Sequence, residues 1–93
     1  MTKAELVTSI CARTGMSREM ALDALEASMA SIKESILNGE EEVTLRGFGT
    51  FVLKERKEKV ARNITQNTTL IIPAHKVVTF KPAASFEEEV AKI

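Results

Sequence analysis

Eight of the chain's thirteen basic residues fall between positions 43 and 86: Arg46, Lys54, Arg56, Lys57, Lys59, Arg62, Lys76 and Lys81. Only Glu55 and Glu58 oppose them there, a net of +6. Residues 1–42 carry a net of −4 and residues 87–93 a net of −2, so the whole 93-residue chain is formally neutral. The asymmetry matters more than the total. Lys and Arg in a row can neutralise phosphates and release their counterions, which gives an affinity that is largely sequence-independent and falls with salt. A basic segment on an acidic body therefore points to a polyanion on one side of the molecule. A solvated charged strand accounts for Glu55 and Glu58 but leaves the excess of cations unexplained.

Other chemistries have little to work with. His75 is the single histidine, with no carboxylate or Cys11 at a useful spacing. Metal-ligand spacing and phosphate-cradling glycine loops are both missing, and the four glycines, 15, 39, 47 and 49, have structural explanations. Neither an enzyme nor a bound cofactor or small-molecule substrate is expected. Cys11, the lone cysteine, cannot form an intrachain disulfide. It reads as a small buried helix residue, with a reactive thiol or an intermolecular bridge as the other options. With no apolar run of membrane length and a polar N-terminus, the expected location is the cytoplasm.

The elements that position the cations run from Arg46 to Lys81. Arg46-Gly47-Phe48-Gly49-Thr50-Phe51 opens the stretch and Val77-Val78-Thr79-Phe80-Lys81-Pro82 closes it. Apolar ends and β-branched residues on the return limb predict two strands. A reversal is expected within Asn63 to Asn67, where Asn tolerates turn backbone. The polar middle cannot pack on a core of its own. It reads as a hairpin arm over about residues 52–76, with limbs of roughly nine residues that reach about 30 Å. Phe48 and Phe51, three apart, cannot share a face of a regular strand, so Gly47 and Gly49 predict a bend or bulge between them.

Helices flank this ribbon. Thr2 and Glu5 form a capping box for a helix over about 3–13, with Leu6, Val7 and Ile10 inward and Gly15 just past its end. Ser17 caps a second helix whose Leu22, Leu25, Met29, Ile32 and Ile36 recur at spacings of three and four, a seam like that of a coiled coil. Asn38-Gly39 ends it, and Glu40-Glu41-Glu42 reads as a solvated turn. Ser85-Phe86-Glu87-Glu88 predicts a cap for a C-terminal helix over 85–93, with Phe86 and Val90 inward.

The expected fold is thus α+β in a single domain over 1–93: two N-terminal helices in a body over 1–42, a three-stranded antiparallel sheet with its protruding arm over 43–82, and the short C-terminal helix. Once the arm is set aside, fewer than seventy residues remain for a core with no disulfide. Bodies of that size are marginal unless oligomerised. The helix-two seam together with Phe48, Phe51 and Phe80 predicts a homodimer with a shared core.

Gly47-Phe48-Gly49-Thr50-Phe51, Lys54-Glu55-Arg56, Arg62-Asn63 and Val78-Thr79-Phe80-Lys81-Pro82, with the opening Met1-Thr2-Lys3-Ala4-Glu5-Leu6, resemble the bacterial histone-like HU and integration host factor family. The resemblance covers essentially the whole chain. It implies an intertwined dimer, with a paralogue as a possible second subunit, whose two ribbon arms embrace duplex DNA through the minor groove. It also implies a place in the bacterial nucleoid. The tip departs from the family pattern: Ala61-Arg62-Asn63-Ile64 stands where Gly-Arg-Asn-Pro is usual, so isoleucine occupies the wedge position. Gln66-Asn67 replaces a usual Thr-Gly, and Ala83, Ala84 and Glu87 replace a glycine and lysines beyond Lys-Pro.

On this reading Arg62 and Asn63 are the foremost DNA contacts, with Ile64 as an apolar wedge and Thr65 beside it. Lys54, Arg56, Lys57 and Lys59 divide between phosphates and solvent, because alternate residues face opposite sides of a ribbon. Arg46 reaches from the body, Lys76 and Lys81 meet phosphates at the arm base, and Lys3 is a further candidate. His75 reads as a surface strand residue rather than a contact. The expected function is architectural: sequence-tolerant binding that bends or compacts duplex DNA. A site-preferring bender on the same scaffold is an alternative, since deformability rather than base contacts would carry its specificity. A dimeric interaction protein that has lost bending through Ile64, Ala84 and Glu87 is another. Single-strand binding lacks its stacking platforms: there is no Trp or Tyr, and no Phe on the arm.

Overall fold

The computed structural model describes residues 1–63 and 68–93, with the side chains of Arg62 and Asn63 outside the description. The chain divides into two compact units, Met1–Asn38 and Gly39–Ile93.

The first unit is a helix pair. Helix α1 spans Lys3–Thr14, started by Thr2, whose hydroxyl accepts from the Glu5 N–H at 3.2 Å, and stopped at Gly15 in left-handed backbone. Helix α2 spans Arg18–Leu37 and is capped by Ser17, whose hydroxyl accepts from Met20 N–H at 3.2 Å. Both caps use the side chains that their sequence signatures pointed to. Two ties hold the pair: the Arg18 guanidinium donates to Thr8 Oγ1 at 3.0 Å and to the Ala4 carbonyl at 3.3 Å, and Lys3 Nζ meets Glu26 Oε1 at 2.6 Å. Val7 and Ala21 are the fully buried hydrophobics among the described residues. The seam of α2 stays partly open: Leu22 is 40% exposed, and Leu25, Met29, Ile32 and Ile36 are half-buried.

The second unit is a sheet, a ribbon and a helix. Strands β1 (Glu42–Leu45), β2 (Gly49–Arg56) and β5 (His75–Pro82) form an antiparallel sheet in the order β1-β2-β5. Glu42 is therefore the first strand residue, paired with Val52, rather than part of a turn. Backbone demand explains the difference, because the Leu53 N–H also donates to the Glu41 carbonyl at 2.8 Å and extends the ladder past β1. Strands β3 (Lys59–Asn63) and β4 (Thr68–Ile72) pair as a separate two-stranded ribbon. Asn63, expected at the start of the reversal, still pairs with Thr68, and the rest of that reversal, residues 64–67, lies outside the described residues.

The two glycines of the opening motif do different jobs. Leu45 to Phe48 close a tight turn, Phe48 N–H donating to the Leu45 carbonyl at 3.0 Å, and Gly47 supplies the positive φ of +83° that its third position needs. This turn, rather than a bulge within a strand, puts Phe48 and Phe51 on the same partner. Each ring lies 5.1 Å from that of Phe80, centroid to centroid, and Phe48 lies 5.8 Å from Phe86. Gly49 is buried because the Phe80 ring and the Lys81 carbonyl fill the space a Cβ would need.

Helix α3 spans Ala84–Ala91 rather than 85–93, and its cap is Ala83, two residues before Ser85, with no side-chain hydrogen bond. The Ala83 N–H donates to the Phe48 carbonyl at 2.9 Å, so the sheet-to-helix junction is pinned by backbone ahead of Ser85. Among the described residues, no helix is long and apolar enough to cross a membrane.

Candidate nucleic-acid interface

Strand register decides which cations share a face. Strand β2 pairs with β5 from Gly49 opposite Pro82 to Arg56 opposite His75, and successive side chains alternate across the sheet. One face thus carries Phe51, Leu53 and Glu55 of β2 with Lys76, Val78 and Phe80 of β5. The Phe51–Phe80 contact marks it as the aromatic side, on which Val78 and Phe80 stay exposed. The opposite face carries Thr50, Val52, Lys54 and Arg56 with His75, Val77, Thr79 and Lys81, and adds Glu42 and Thr44 from β1. A 3.3 Å hydrogen bond between the hydroxyls of Thr50 and Thr44 ties these strands on that side.

The candidate cations divide accordingly. Lys54, Arg56 and Lys81 are exposed on the second face, and Glu42 is the one acid there among the described sheet residues. Lys76 lies on the aromatic side, directly opposite Glu55, an opposite-charge pairing of the kind that supports strand association. Arg46 is exposed in the turn before β2. Lys3 belongs to the helical unit, where Glu26 engages its ammonium.

The ribbon continues the sheet in register. Lys57 and Glu58 separate β2 from β3, and Pro73 and Ala74 separate β4 from β5. Proline has no N–H to give a ladder, so the pairing lapses there. It resumes without slipping: Arg56 faces His75, and three residues on along each limb Lys59 faces Ile72. Arg62 then faces Thr69 and Asn63 faces Thr68. Register matters because a one-residue slip would send every arm side chain to the other face. Val60, Leu70 and Ile71 are all well exposed on the ribbon, so the arm buries little of its own apolar surface. Ile64 and Thr65 lie outside the described residues.

The register also places a residue that the sequence reading set aside as a surface strand position. His75 starts β5 on the same face as Lys54, Arg56 and Lys81, directly across from Arg56. Its position was recoverable: once Phe51 is set against Phe80 at the apolar ends, counting along the two limbs brings 75 opposite 56.

A helix pair joined to a short sheet that extends into a cationic two-stranded ribbon defines a class: an α+β scaffold that presents a β-arm to a polyanion. The model of the bacterial DNA-binding protein family matches residues 1–91. Integration host factor subunit alpha of Vibrio cholerae serotype O1 (strain ATCC 39541 / Classical Ogawa 395 / O395) is 36% identical over all of this chain and 94% of its own length. The same subunit of Anaeromyxobacter sp. (strain Fw109-5) is 35% identical over 89% of this chain and 83% of its own. An Anabaena HU–DNA cocrystal structure superposes with a TM-score of 0.90 at 35% identity, covering 100% of both chains. The chain belongs to the bacterial DNA-binding protein family of HU and integration host factor, a family of architectural DNA-binding proteins and not of enzymes.

Proposed function

We propose that this chain acts in the nucleoid as a dimeric architectural protein that lays two ribbon arms into the minor groove of duplex DNA and bends it. The observation that carries the reading is the segregation across the β2–β5 register: Lys54, Arg56 and Lys81 on one face, Phe51 and Phe80 on the other. A polyanion resting on the cationic face meets Lys54, Arg56 and Lys81 without disturbing the aromatic contacts of the other. The arm then extends the contact along the duplex. Arg62 favours the negative potential of a narrow minor groove, and Asn63 can bond acceptors on its floor. Ile64 is suited to wedge between base pairs, as apolar side chains of such proteins do, with Thr65 beside it.

The open α2 seam supports a second subunit. With Leu22 40%, Phe48 48%, Phe80 39% and Leu37 84% exposed, this sequence leaves more apolar surface uncovered than a lone body of its size tolerates well. A second copy of the chain is the simplest partner. That the Vibrio and Anaeromyxobacter relatives are subunits of integration host factor favours, as a second reading, a paralogous partner and some preference among sites.

Energy transfer between dyes at the two ends of a random-sequence duplex tests the proposal. Binding that raises transfer, and weakens as salt is added, is the expected result. Binding with unchanged transfer would remove bending from the function, and no binding at low salt would overturn it.

A further inference from the structure

The proposed function leaves His75, at the start of β5, without a role. Its Nδ1 lies 3.1 Å from the Pro73 carbonyl oxygen. A carbonyl can only accept, so Nδ1 carries the hydrogen and Nε2 is the nitrogen left free to gain or lose a proton. The ring is exposed and is held at the foot of the arm by this bond. Arg56 stands directly across from it on β2, and Lys54 and Lys81 share its face.

We infer that His75 is a proton-dependent phosphate contact, so that DNA binding by this chain takes up a proton at the base of each arm. The inference rests on the proposed function and deepens it. Histidine is the side chain that ordinarily changes charge between about pH 5 and 8. The cations around it are Arg56, directly across the strand pair, Lys54 and Lys81 on the same face, and Lys57 just beyond Arg56. The carboxylates available to offset them are Glu42, on the same face but at the β1 side, Glu55, on the reverse face opposite Lys76, and Glu58, in the stretch beyond Arg56. A phosphate lying across Arg56 and His75 changes the balance. It neutralises the arginine and accepts a hydrogen bond from the protonated Nε2, a charge-assisted contact stronger than a neutral one. The proton comes from solvent, and binding becomes tighter as pH falls.

The test is anisotropy of a labelled duplex with the full chain, at about pH 8 and pH 6 and across a salt series at each. The wild-type chain should bind several-fold tighter at the lower pH, with its log–log salt slope steeper by up to about 0.9 per added phosphate contact. His75→Gln should bind like wild type at the higher pH and lose most of the gain at the lower. His75→Arg should hold the steeper slope at both. Calorimetry in buffers of different ionisation enthalpy should show proton uptake by wild type that His75→Gln lacks. Equal pH dependence in wild type and His75→Gln, with both bound to DNA, would overturn the inference. Failure of the wild-type chain to bind duplex at either pH would instead overturn the proposed function. Because His75 is exposed, unchanged thermal melts of both variants serve as the folding control.

Discussion

Replacing Gly49 with alanine puts the aromatic packing of the sheet unit under direct test. A Cβ at residue 49 would sit 2.5 Å from Phe80 Cζ, 2.6 Å from Phe80 Cε1 and 2.6 Å from the Lys81 carbonyl oxygen. Ordinary contact begins near 3.4 Å, so relief requires a shift approaching 1 Å. Neither neighbour yields easily. The carbonyl is backbone of the paired strand, and the Phe80 ring is held between Phe48 and Phe51 at 5.1 Å from each. Overpacking of this kind costs about 1–3 kcal/mol, and each displaced aromatic pair about 0.5–1.5 kcal/mol more. We expect a loss of about 2–4 kcal/mol, equivalent to a fall in Tm of roughly 10–25 °C for a chain of this size. Thermal and urea melts followed by circular dichroism, at one fixed protein concentration, measure it. Gly47→Ala is the companion variant. It meets no atom within 4 Å but must hold φ at +83°, so it bears backbone strain alone, about 1–2 kcal/mol. If Gly49→Ala melted within about 0.5 kcal/mol of wild type, a change no larger than an ordinary surface substitution makes, the close packing of Phe80 on Gly49 would be refuted.

The sheet faces yield a second expectation. Lys54→Gln and Lys81→Gln should each flatten the salt dependence of duplex binding by about 0.9 in log–log slope, whereas Lys76→Gln, on the other face and opposite Glu55, should change it less. An equal loss at Lys76 would reverse the assignment of faces. At the arm, Arg62→Glu should weaken duplex binding strongly, and unchanged affinity would remove the arm from the groove. Ile64→Ala should keep much of the affinity while lowering end-to-end energy transfer, and equal bending would show that the isoleucine is no wedge. Finally, sedimentation on dilution should show dissociation and unfolding together, as a shared core requires. A folded monomer at low concentration would refute that.

Much of the scaffold was legible in the order of residues because its signals are local. Thr2, Ser17 and Gly15 mark helix ends through hydrogen bonds and dihedrals that involve only near neighbours. The strands follow from β-branched and aromatic runs, and the cationic segment is visible as charge alone. Where a more distant group competed, the local signal lost. Ser85 carries a capping signature, yet the Phe48 carbonyl, thirty-five residues before the helix cap, takes the Ala83 N–H and sets the helix start. Glu42 reads as part of an acidic turn, yet its pairing with Val52 makes it strand.

The sequence by itself therefore determined the kinds of element, their order and the presence of a cationic arm, since each rests on propensity, capping and composition within a few residues. Tertiary structure decided which charges stand together. Whether Lys76 shares a face with Lys81, or His75 with Arg56, depends on pairing register across some twenty to thirty residues of chain. With a side-chain period of two, a single step in that register exchanges the faces. Composition does not carry that information. Phe51 packed on Phe80, with Gly49 leaving room beside them, holds the register in place.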